Sequence, residues 1–120
     1  MVRILLAEDD KATRDVIARA LEADGHSVTQ TLDGQEALDR LAAAPGGIDL
    51  LISDVEMPGL DGVTLAERAL AAEPRLKVLL ISGFSGGLER AERLKGPAVR
   101  SVSKPFTLDA LRSEVRALLG

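Results

Sequence analysis

Short runs of Val, Ile and Leu alternate with stretches whose apolar residues recur at helical spacing, and this pattern constrains the fold of the 120-residue chain more than any other feature. A run of four to seven apolar residues without polar alternation reads as a strand buried on both faces, the signature of a parallel sheet covered by helices on each side. Five segments are candidate strands: residues 2–7, the weaker 27–32, 48–53, 77–82 and 98–103. The first intervening segment places Val16, Ile17, Ala20 and Leu21 on one helical face and stops at Gly25 after Asp24. The second turns Ala37, Leu38 and Leu41 inward and ends at Pro45, Gly46 and Gly47. The third turns Val63, Leu65, Ala66, Ala69 and Leu70 inward and ends before Pro74. The last starts at a Thr107 N-cap and carries Leu108, Leu111, Val115 and Leu118 on a stripe. The fourth is short, because two glycines before it and Gly96-Pro97 after it leave only residues 88–94. No linker, repeat or charge block divides the chain. The expected fold is therefore α/β: one domain over residues 1–120, a three-layer (βα)5 arrangement with a doubly wound, five-stranded parallel sheet of the flavodoxin-like kind.

Composition narrows the chemistry. A hydrophobic content of 46% belongs to a folded, soluble protein, and no apolar run approaches the ~20 residues a membrane-spanning helix needs. The opening "MVRILLAEDD" lacks the apolar length and cleavage site of a secretory signal, so a cytoplasmic location is expected. The absence of cysteine excludes disulfides and thiolate metal sites, and His26, the single histidine, cannot build a zinc site or by itself a Ser-His-Asp triad. A net charge of −4 with two Phe as the whole aromatic complement opposes a nucleic-acid surface. The expected partner is a protein or a small phosphorylated group.

In an open parallel sheet, ligands bind beyond the carboxyl ends of the strands, where the strand order reverses. The polar residues that break the apolar runs fall at those ends. Glu8, Asp9 and Asp10 follow the first run, Asp54 and then Glu56 the third, Ser82 closes the fourth, and Lys104-Pro105 follows the fifth. Carboxylates about 5 Å apart repel by roughly 3 kcal/mol at an effective dielectric of about 20, so the cluster requires a cation. Oxygen donors without His or Cys favour a hard ion, and a site with few carboxylates and open positions suits Mg2+. With Lys104 as a point charge and Ser82 as a hydroxyl donor, the rim is equipped for a phosphoryl group. Asp54, held rigidly at a strand end, is the carboxylate placed to attack phosphorus and carry the product as an acyl phosphate.

The segments "ILLAEDD", "LLISDVEMPGLDG", "LLISG" and "SVSKPF", in that order and with those separations, resemble the receiver domain of two-component response regulators over residues 2–119. The resemblance implies that Asp54 is the phosphoacceptor, taking its phosphoryl group in a Mg2+-dependent reaction from a phosphohistidine on a histidine kinase or histidine phosphotransferase. It implies that Glu8 and Asp9 form the acidic pair, Asp9 binding the metal directly and Glu8 through water; in an alternative register the pair is Asp9 and Asp10. Glu56 would lend its backbone carbonyl to the metal, with its side chain flanking the path of attacking water. Ser82 would be the switch hydroxyl, Lys104 the phosphate partner, and Pro105 would follow a cis peptide bond. The pattern is broken at Ser101, where receivers often carry a switch aromatic; Phe84 or Phe106 could report the state instead. Residues 88–96, weak as a helix, are expected to order on phosphorylation or partner binding.

Output is then expected through protein contacts, with no direct nucleic acid and no membrane. The "SGF" and "SKPF" endings are similar to those of stand-alone receivers that act as adaptors for a regulated protease. Two alternatives stay open: a receiver excised from a hybrid histidine kinase or larger regulator, and a phosphatase with an aspartyl nucleophile. The second class places its nucleophile at the end of the first strand, whereas Asp54 ends the third. Plainer roles compete at single residues: Asp9 or Asp10 as the cap of the first helix, Asp61-Gly62 as a turn and helix start.

Overall fold

A computed structural model describes residues 2–83, 87–94 and 96–120. Strands and helices alternate throughout: β1 (Arg3–Ala7), α1 (Lys11–Ala23), β2 (Ser27–Thr31), α2 (Gly34–Ala43), β3 (Leu50–Asp54), α3 (Gly62–Ala72), β4 (Lys77–Ser82), α4 (Gly87–Leu94), β5 (Val99–Ser103) and α5 (Leu108–Leu119). All strand pairs are parallel, in the order β2-β1-β3-β4-β5. This is the expected doubly wound sheet.

The period-2 alternation of a strand decides which layer each side chain serves. Ile4, Leu6, Leu50, Ile52, Leu79 and Ile81 pack with Ile17 and Leu21 of α1 and Leu111, Val115 and Leu118 of α5. Leu5, Ala7, Leu51, Val78 and Leu80 turn to the opposite face, against Ala37 and Leu41 of α2, the Val63 to Ala69 stripe of α3 and Ala91 of α4. Each fully buried Leu or Ile removes apolar surface worth roughly 1.5–3 kcal/mol, set against the chain entropy it surrenders. No described helix is long and apolar enough to cross a membrane.

Four helices begin on a side-chain cap. Asp10, Asp33, Asp61 and Thr107 each accept a hydrogen bond from the backbone N–H three residues on, at Thr13, Glu36, Thr64 and Ala110. The Thr107 cap and the Asp61-Gly62 helix start are as expected.

Several boundaries differ from the sequence reading. β3 starts at Leu50 rather than residue 48, because the Asp49 carboxylate accepts from the Arg3 main chain at 2.8 Å and from its guanidinium at 3.1 Å, fixing the segment below the sheet. β2 stops at Thr31, and Leu32 is half exposed. β5 starts at Val99. Val16, expected inward, is 50% exposed. At 100° per residue the buried arc of α1 runs from Ala20 through Ile17, Leu21 and Arg14 to Ala18, and Val16 falls just outside it. α4 gains one residue at its start, Gly87, relative to expectation.

Candidate functional site

β1 and β3 are neighbours although β2 lies between them in the chain, so the winding reverses there and a crevice opens beyond their carboxyl ends. The register sets Ala7 opposite Ser53, which brings the next residues, Glu8 and Asp54, side by side. One oxygen each from Glu8, Asp9 and Asp54 lies within 4.8 Å of the others. Asp10 is not in that group: its carboxylate caps α1, accepting from the Thr13 N–H at 3.0 Å and from the Thr13 hydroxyl. The structure therefore brings Glu8 and Asp9 to Asp54, while Asp10 caps α1.

Asp54 is 2% exposed and Glu8 1% exposed, while Asp9 is open to solvent. Lys104 reaches in from the end of β5 and donates from Nζ to Asp54 Oδ2 at 2.6 Å; the Glu56 N–H donates to Oδ1 at 3.1 Å. The Lys104 main chain is tied to the neighbouring strand by its N–H, which donates to the Ser82 carbonyl at 2.7 Å, and the Lys104-Pro105 bond is cis. Ser82 is buried at the end of β4. Among the described residues, two buried side-chain oxygens have no hydrogen-bond partner, and both lie here: Glu8 Oε2 and Ser82 Oγ.

Burial, followed by the neighbouring Asp54 carboxylate, pushes the Glu8 carboxyl up to about 7, against a smaller downward pull from the Asp10 N–H and Lys104. Ionised, Glu8 leaves Oε2 without a donor; protonated, it can donate to Asp54. Burial alone would lower the Lys104 ammonium, but the hydrogen bond and charge of Asp54, with Glu8 and Glu56, raise it. The local balance is then three carboxylates against one ammonium, with an acceptor oxygen held in reserve. The residues fit a hard cation on all-oxygen ligands.

Three contacts were not legible in the sequence. Arg14, buried within the apolar arc of α1, donates to the Glu8 carbonyl at 2.8 Å and holds the acidic turn from below; its signal was a cation on an inward-facing helical position. The Glu56 carboxylate accepts from the Gly83 N–H at 3.1 Å. At Gly62 an added Cβ would stand 2.1 Å from the Asp54 carbonyl oxygen, so the chain can return past the site only as glycine. Ser101, at the vacant aromatic position, is half-buried; Phe106 packs partly against the α1/α5 layer, and Phe84 lies outside the described residues.

The model of the response regulator receiver domain matches residues 4–116. The chain is 39% identical over 119 residues to the response regulator receiver protein CpdR of Brucella abortus, covering 99% of this chain and 98% of that one. It is 37% identical over 118 residues to the response regulator MprA of Mycobacterium tuberculosis, of whose length it spans half. Among solved structures, the receiver domain from the hybrid histidine kinase CckA superposes with a TM-score of 0.82 at 40% identity, covering 98% of this chain and 99% of that one. A response regulator receiver protein from Sinorhizobium medicae gives 0.87 at 30% identity, over 98% and 94%. By family model, by sequence and by fold, the chain belongs to the response regulator receiver domains.

Proposed function

We propose that Asp54 is the phosphoacceptor of a two-component phosphorelay, taking a phosphoryl group from a phosphohistidine on a histidine kinase or histidine phosphotransferase in the cytoplasm. Phosphorylation would switch contacts with a downstream protein, a regulated protease adaptor role among them. The observation that carries this reading is the setting of one carboxylate: Asp54, buried, bonded to Lys104 Nζ at 2.6 Å and grouped with Glu8 and Asp9.

In the transfer, an Asp54 oxygen bonds to phosphorus as the bond from phosphorus to the imidazole nitrogen breaks, the electron pair leaving on that nitrogen. Lys104 passes its hydrogen bond from Asp54 to a phosphoryl oxygen and neutralises part of the incoming charge. Ser82 offers the unpartnered hydroxyl as a second donor. Glu8, Asp9, Asp54 and the Glu56 backbone carbonyl would hold Mg2+, and the ion, when bound, supplies the positive charge that lets an acidic rim accept an anionic phosphoryl group.

Acetyl phosphate with Mg2+ tests this by intact mass: one added phosphoryl group on the wild type and none on Asp54→Ala. Equal labelling of both proteins refutes the assignment, and sustained turnover of a phosphate ester would move it to an aspartyl phosphatase. Lys104→Ala is expected to accept the group yet fail to pass the signal on. The likeness to a hybrid kinase's receiver favours a second reading, a receiver that is one part of a larger regulator. The reading frame on either side of residues 1–120 separates it from a single-domain regulator.

A further inference from the structure

Main-chain groups along β4 alternate between its two neighbours. The Ile81 carbonyl faces β3 and accepts from the Val55 N–H at 2.8 Å, while the Ser82 carbonyl faces β5 and accepts from the Lys104 N–H at 2.7 Å. The Gly83 N–H therefore faces the β3 side, the side of Asp54. Its ladder acceptor would be the Val55 carbonyl, but that oxygen already accepts from the Gly62 N–H at 2.8 Å as the chain turns into α3. Gly83 donates instead to Glu56 Oε1 at 3.1 Å. The approach is close enough that a Cβ at residue 83 would stand 2.7 Å from that oxygen. Glu56 is itself fixed to the acceptor residue, since its own N–H is bonded to Asp54 Oδ1 at 3.1 Å.

We propose that Glu56 is a latch: in the unphosphorylated chain its carboxylate occupies the Gly83 N–H, and a phosphoryl group on Asp54 competes for that donor and displaces it. The inference rests on the reading of Asp54 as the phosphoacceptor. A phosphoryl dianion two residues from Glu56 repels the carboxylate and offers the same N–H a more highly charged acceptor. The buried, unpartnered Ser82 hydroxyl stands beside that N–H in the chain, so the two donors can turn to the new group together. A groove of about 360 Å³, lined by Glu56, Asp61 and Arg90 among others, adjoins the latch and has room for the displaced side chain. Arg90 of α4 is held to the same β3–α3 segment, donating to Asp61 at 3.1 Å and to the Thr64 hydroxyl at 2.9 Å. The segment after Asp54 thus holds the chain beyond β4 both at Gly83 and through Arg90, and the latch is the contact that charge at Asp54 can release. Such a device needs no aromatic at Ser101.

The test uses the full chain with Mg2+ and beryllofluoride as the phosphoryl mimic, followed by the Gly83 amide resonance. In the wild type the amide proton should be shifted downfield before beryllofluoride is added, and in Glu56→Ala only after. The apparent Kd for beryllofluoride should be about tenfold lower in Glu56→Ala, the expected return for removing a competing charged hydrogen bond, with Glu56→Gln between the two because it keeps an acceptor oxygen but not the charge. Equal Kd values, or a Gly83 amide that is the same in wild type and Glu56→Ala before addition, overturn the latch while leaving Asp54 as phosphoacceptor. A wild type that binds no beryllofluoride overturns both. If Glu56→Ala fails to fold, the isosteric Glu56→Gln carries the Kd comparison, and a Kd equal to that of the wild type overturns the latch.

Discussion

Glu8 shows how one side chain couples folding to the chemistry of the rim. Its carboxyl is 1% exposed, one oxygen lacks a donor, and burial beside Asp54 raises it from 4.5 to about 7. A group raised on folding binds its proton more tightly in the folded chain, so its stabilising contribution is complete below about pH 4.5 and is lost as pH rises through 7. Without Mg2+, the thermal midpoint of the wild type relative to Glu8→Gln should therefore fall between pH 5 and pH 8. Adding Mg2+ at pH 8 should restore the wild type and leave Glu8→Gln nearly unmoved; calorimetric scans at the two pH values decide it. A flat difference across the range would mean that the carboxyl is not held in its neutral form by the fold. Glu8, Asp54, Ser82 and Lys104 could be found in the sequence because each interrupts an apolar run. Arg14 and the Glu56–Gly83 contact could not, since they are pairings across elements that depend on where a loop returns.

Among the helices, α3 carries the most at its first turn. Asp61 caps it through the Thr64 N–H at 2.9 Å and also holds Arg90 of α4, and Gly62 passes against the Asp54 carbonyl. The two adjacent residues should fail differently. Asp61→Ala removes a cap and an exposed ion pair, and should cost about 1–2 kcal/mol in urea denaturation while leaving phosphoryl uptake intact. Gly62→Ala forces a methyl group into the backbone of Asp54 and Val55, where nothing flexible can yield. It should cost more, about 2–3 kcal/mol or above, and should depress uptake at Asp54 in the same preparation. A Gly62→Ala protein with wild-type stability and labelling would show that the return path is not tight. Element existence was legible because the apolar segments, the helical spacing between them and the helix caps agree with one another. The ends were less so: residue 48 reads as strand until Arg3 claims Asp49, and Val16 reads as core until the arc of α1 centres on Ile17.

Across the whole molecule, burial is uneven in a way that follows the sheet order. β1, β3 and β4 are interior strands whose residues are almost all buried, whereas β2 and β5 at the edges are mixed. α4 lies over the β4 end of the sheet and, from Glu89 to Leu94, buries fully only Ala91. Among its described residues Leu94 packs partly against the same core, and Arg90, an exposed group, pairs with Asp61 and Glu67 in ion pairs that are individually weak in water. Local opening draws on few buried contacts and exposed hydrogen bonds, so α4 should open at a free energy well below that of global unfolding. In native-state hydrogen exchange, the amides of Leu5, Leu51, Leu79 and Leu80 should exchange only through global unfolding, and those of Arg90 to Leu94 through a smaller opening insensitive to denaturant. Beryllofluoride with Mg2+ should then slow the α4 amides several-fold while leaving the central strands in their original order. Protection in α4 equal to that of β4, or unchanged by beryllofluoride, would separate α4 from the switch and leave the edge at β5 to carry the signal.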